Sequence, residues 1–71
     1  MQQIRKVSVG VDYKNSMHYI VGQEVMGSYK IDAIVSVDNG IVIWIEKDKE
    51  ILCWKQINSS SPMVIEYNIN F

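Results

Sequence analysis

Leucine occurs once in these 71 residues, at Leu52, against eleven isoleucines and nine valines. β-Branched side chains are stiff at χ1 and pack well on a pleated surface, whereas leucine is the better helix former, so this ratio favours strands. An A/T-rich genome would produce the same bias, so the two readings are compatible. Cysteine also occurs once, at Cys53. A lone cysteine closes no internal disulfide, which fits a reducing cytosol and leaves so small a domain to seek support in a partner or a second copy. No long hydrophobic run is present, since the longest, Ile41 to Ile45, is far below the ~18 residues that span a bilayer. The alternating Val7-Ser8-Val9-Gly10-Val11-Asp12 that follows the first residues is not the continuous apolar core of a signal peptide. Neither sign of charge dominates. A net charge of −1 gives no long-range attraction for a polyanion, so general coating of nucleic acid is disfavoured.

What is present reads as strand throughout. Ile4 to Val11 alternates, with Val7, Val9 and Val11 on one face and Lys6, Ser8 and Gly10 on the other. Tyr19 to Val25 is expected as a second strand interrupted by Gly22, the alternative being a helical turn capped by Ser16. Tyr29 to Val37 places Tyr29, Ile31, Ala33, Val35 and Val37 on an apolar face. Asp38-Asn39-Gly40 then signals a hairpin. With a three-residue loop, Ile41, Ile43 and Ile45 of the returning strand lie opposite that face. Glu46 to Glu50 reads as a solvated hairpin tip, Ile51 to Ile57 as the returning strand, and Met63 to Phe71 as a last strand that needs a neighbour to cover its apolar side. Five or six short strands in one domain, residues 1–71, predict an all-β fold, a small bent sheet or barrel of the SH3-like or OB-like kind.

The residues of catalysis are sparse. Cys53 and His18 form the single Cys–His combination available, and a mid-strand cysteine is expected as a small buried hydrophobe. There is no Cys-x-x-Cys and no second histidine for a metal, and the four glycines match no phosphate-cradling pattern. Glu46, Asp48 and Glu50 sit on an open tip, where water prevents two carboxyl groups from separating their pKa values. The expectation is a non-enzymatic protein without cofactor or metal.

Two regions stand out for binding. In the three-residue register, Val42 and Trp44 point outward beside Ile34; Trp54 joins them if the charged hairpin has an odd loop and lies inside if the loop is even. Tryptophan beside aliphatic residues is the composition of an interface hot spot, so Ile34, Val42, Trp44 and Trp54 are the candidate protein-binding set. The second region is the bend after the first strand, where Tyr13, Lys14, Ser16, His18 and Tyr19 bring a cation, a hydroxyl, an imidazole and aromatic faces together. That set could hold a phosphate and stack a base, as a small nucleotide ligand requires. Its bland reading is a polar inter-strand loop.

The stretches IRKVSVGVDYKNSMHYIVGQEV and IEYNINF resemble small tailed-bacteriophage proteins that carry no assigned activity, more firmly at both ends than in the middle. The resemblance implies a bacterial host cytosol during infection. It implies a protein that occupies a host factor or defence component as an inhibitor, or assembles with itself as a homo-oligomer. Its alternatives are an oligomeric sponge for a nucleotide signal and a minor virion structural protein.

Overall fold

The strand-rich composition is realised without a helix among the residues that the computed structural model describes, 3–10 and 16–68. Seven strands follow in order: β1 (Gln3–Val9), β2 (Met17–Ile20), β3 (Glu24–Val25), β4 (Tyr29–Val37), β5 (Gly40–Lys47), β6 (Glu50–Asn58) and β7 (Met63–Asn68). They form two antiparallel sheets, β2-β1-β7 and β3-β4-β5-β6, that curl into a half-barrel. The expected strand from Tyr19 to Val25 is broken in two at Gly22, whose φ of +92° suits glycine. That corner joins the sheets. The Val21 N–H donates to the Arg5 carbonyl (2.9 Å) in the first sheet, and the Gly22 N–H to the Ile31 carbonyl (2.8 Å) in the second.

Between the sheets lie Ile4 and Val7 of β1, Tyr19 of β2, Ile31 and Ile34 of β4, and Ile41, Ile43 and Ile45 of β5, all buried in one cluster. Burial of an Ile or Val side chain is worth roughly 1.5–3 kcal/mol, so these eight carry most of the hydrophobic stabilisation. Two pairs in this set, Ile4/Val7 and Ile31/Ile34, are three residues apart, which regular alternation cannot place on one face. A β-bulge lies between the members of each. Arg5 is an extra residue in β1 between the Ile4–Tyr67 and Lys6–Glu66 pairs, and Asp32 is an extra residue in β4 between Ile31–Ile45 and Ala33–Trp44. A third bulge makes Trp54 the extra residue of β6, between Ile43–Lys55 and Trp44–Cys53. It brings Trp54 and Ile57, again three apart, against the core.

The hairpin register differs from the expected one. Val37 pairs with Gly40 across a two-residue turn, so Val35 lies opposite Val42 and Ile34 opposite Ile43. A one-residue slip exchanges the faces. Ile34, expected outside, is therefore 5% exposed, while Val35 is 43% exposed. Gly40 explains the slip: it is the first residue of β5 rather than part of the turn, with φ +149°. A Cβ there would collide with the Ile57 carbonyl oxygen on β6. Its role is close approach of two backbones. In the charged hairpin, Lys47 pairs with Glu50 across Asp48 and Lys49, both at positive φ, as a two-residue hairpin turn requires. This even loop puts Trp54 inside. The last strand pairs with β1 through Met63 to Asn68, and Ile69 to Phe71 lie outside the described residues.

The observed register predicts that Ile34→Ala lowers unfolding free energy by about 2–4 kcal/mol and Val35→Ala by less than about 1 kcal/mol. Urea titration of the two variants checks this, and the three-residue loop would reverse their order.

Candidate protein-binding face

On the side of the second sheet away from the core, residues pair in rows across β4, β5 and β6. The rows are Val37–Gly40–Asn58, Val35–Val42–Gln56, Ala33–Trp44–Cys53 and Lys30–Glu46–Ile51. In the two middle rows no register-paired residue is charged, and Asp32, the extra residue of β4, opposes Trp44 beside Ala33. Val35, Val37 and Ile51 are exposed, and Trp44 and Ala33 are half-buried. Val42 is only 8% exposed yet stands outside the core cluster. Its cover comes from within the face, because it occupies the central strand between Val35 and Gln56. Asp32, the bulge residue of β4, is exposed beside Ala33, and the Lys30–Glu46 pair lies one row from Trp44, so the apolar centre has a polar rim. A shallow cavity of about 340 Å³ lined by Val37, Asn39, Gly40, Gln56 and Asn58 borders the face at the turn end.

Of the four residues expected here, Val42 and Trp44 stand on this face and Ile34 and Trp54 do not. Ile34 is removed by the register, and its place is taken by Val35. Trp54 is removed by the even loop and the β6 bulge. It packs edge-on against Tyr19 at 5.6 Å between ring centroids and 84° between planes. The Lys55 ammonium group lies 5.0 Å from the Trp54 ring centroid and 6.0 Å from that of Tyr19, a cation–π arrangement that closes this end of the core. Val35, Val37 and Ile51 were hidden from sequence reasoning because Val35 and Val37 fit an inward alternation equally well. Cys53, expected to be buried, is exposed opposite Trp44, since alternation from Trp54 turns it outward.

The second candidate set is divided by the fold. Tyr13 and Lys14 lie outside the described residues. His18 and Tyr19 are consecutive in β2 and so face opposite ways. The Tyr19 ring, 7% exposed, is core opposite Val7 and offers no stacking surface. His18 stands on the outside opposite Ser8, whose hydroxyl lies 2.8 Å from its Nδ1, and Ser16 is half-buried. His18 and Cys53 belong to different sheets, β2-β1-β7 and β3-β4-β5-β6. Among the described residues, no three or more His, Cys, Asp or Glu side chains gather as metal ligands. No described helix is long and apolar enough to cross a membrane.

No family model matches this chain, and no curated protein or solved structure matches it.

Because Cys53 is exposed on this face, a thiol reagent should modify it in the native protein at close to the rate of an unfolded control. Modification that waits for denaturant would place Cys53 inside and overturn the assignment of faces in β6.

Proposed function

We propose that this chain is a non-enzymatic binding module that holds a protein partner against the outer face of β4, β5 and β6. The observation that carries the reading is the largely apolar double row Val35–Val42–Gln56 and Ala33–Trp44–Cys53, in which Asp32 is the one charged residue, with Val37 and Ile51 exposed beside it. An antiparallel sheet with one solvated face ordinarily alternates polar residues outward; here the centre of that face is Val35, Val42, Ala33, Trp44 and Cys53, with Gln56 and Asp32 beside them. A central tryptophan among aliphatic side chains, bordered by polar and charged residues, is the anatomy of a protein–protein interface. The small-barrel scaffold, of the SH3-like or OB-like kind, suits a role in which a sheet face is the working surface. The resemblance to phage proteins directs the search to a bacterial host factor or defence component, which the module would inhibit by occupying it.

Trp44→Ala is expected to weaken capture of a specific partner by roughly 30-fold, as loss of a hot spot worth about 2 kcal/mol would. Val35→Lys should do the same without touching the core. Binding is measured by titration against the protein recovered on immobilised wild-type chain, and thermal melts confirm that both variants remain folded. Undiminished binding by both folded variants would reject this face.

A further inference from the structure

The row Val37–Gly40–Asn58 at the turn end of the outer face has no side chain at its centre. Gly40 holds that place because a Cβ there would meet the Ile57 carbonyl, so a backbone requirement leaves a hollow in the surface. Its volume is about 340 Å³, and Val37, Asn39, Gly40, Gln56 and Asn58 line it. Ligand sites run from roughly 300 to 1,000 Å³, so this one has room for a short piece of chain rather than a large cofactor. None of its lining residues is charged, and all but Val37 and Gly40 are carboxamides.

The carboxamides are not equivalent. The Ser60 N–H donates to Asn58 Oδ1 (2.9 Å), and since only the oxygen of that amide can accept, its orientation is fixed and Nδ2 keeps both N–H groups for another molecule. The surrounding backbone is held too. The Ser61 N–H donates to the Asn58 carbonyl (3.0 Å), and the Ser59 N–H to the Asn39 carbonyl (2.7 Å), which ties the end of β6 to the β4–β5 turn. Asn58 therefore loses little freedom when a ligand arrives. With its oxygen already engaged, the hollow offers more donors than acceptors and suits a ligand rich in acceptors. Charge narrows the choice. Asp38, exposed beside Asn39 in the turn, disfavours an anion, which leaves neutral acceptors.

We infer that the hollow holds an uncharged loop of the protein partner, whose backbone carbonyl groups accept from Asn58 Nδ2 and the Gln56 amide. This rests on the reading of the outer face as protein-binding, because Val37 and Gln56 belong to both the face and the hollow. Continuity selects a peptide. From Trp44 to Gly40 is about 13 Å along β5, a distance that about four extended residues of a segment seated on Trp44 would cover. The exposed Val37 side chain supplies an apolar wall for such a segment.

A neutral blocked peptide, N-acetyl-glycyl-glycine amide, tests the hollow without the partner. In the full chain its addition should shift the side-chain amide NMR signals of Gln56 and Asn58 to saturation, and equimolar acetate or glucose should shift them much less. Asn58→Asp keeps an oxygen for the Ser60 N–H but removes both donors. It should raise the dissociation constant of the peptide by about tenfold, read at Gln56, and Gln56→Glu should weaken binding in the same direction, read at Asn58. Thermal melts check that both variants are folded. Trp44→Ala should leave peptide binding unchanged while it weakens capture of the whole partner, so the hollow and the face fail separately. Signals that do not move with peptide overturn the inference. So do responses to acetate or glucose as large as those to the peptide, and wild-type binding by both folded carboxylate variants.

Discussion

The central strand β5 is flanked at the same level by two bulges, and the shape of the molecule depends on them. Asp32 is the extra residue on one side, opposite Trp44, and Trp54 is the extra residue on the other, next to Ile43. A bulge bends its strand and adds right-handed twist, so two of them abreast curl the sheet around the β5 side chains rather than leaving it flat. Ile43, at the centre of the curl, is fully buried. Arg5 performs the same task in the other sheet. Its carbonyl, on the bulged residue, accepts the Val21 N–H and ties the bend of β1 to the corner between β2 and β3.

These bulges also explain what could be read from the sequence and what could not. The all-β class was legible in the isoleucine and valine content, and most hairpins in their turn residues. The faces of β4 were not, because Tyr29 to Val37 fits two-residue alternation without a visible break. A trace of the bulges does exist. Ile4/Val7, Ile31/Ile34 and Trp54/Ile57 each enclose a charged residue: Arg5 with Lys6, Asp32 with Ala33, and Lys55 with Gln56. Strict alternation puts the ends of such a pair on opposite faces, so it could bury both only by burying both residues between them. An extra residue removes the conflict by letting the chain turn over once. The other miss, the two-residue turn before Gly40, reflects a role for glycine that local sequence cannot show. The backbone of β6 passes too close for a Cβ.

The candidate face was legible in part for the same reason. Val42 and Trp44 lie on β5, which carries no bulge of its own, so alternation assigned them correctly. Ile34 was misplaced by the turn register rather than by a bulge, and Trp54, whose side depended on the length of the charged loop, lies inside as an even loop requires. The nucleotide-type set failed differently: His18 and Tyr19 are close in sequence but alternate across a strand, so adjacency separated them instead of gathering them. Compositional clusters support a shared site only where the backbone is not extended.

The three surfaces of this sheet therefore divide the available apolar residues in distinct ways. Inward positions are filled by isoleucine and valine until the core is dry, except along β6 and β7, where Trp54, Ile57, Met63 and Ile65 stay partly covered. Lys55 occupies the boundary between dry and wet, its ammonium group over the Trp54 and Tyr19 rings, so the edge of the core ends in a cation–π contact. The edges of β6 and β7 carry unpaired backbone groups, which attract a strand by hydrogen bonding in any sequence context and so confer little selectivity alone. The outer face offers side chains instead, and these depend on which partner matches Val35, Trp44 and Ile51.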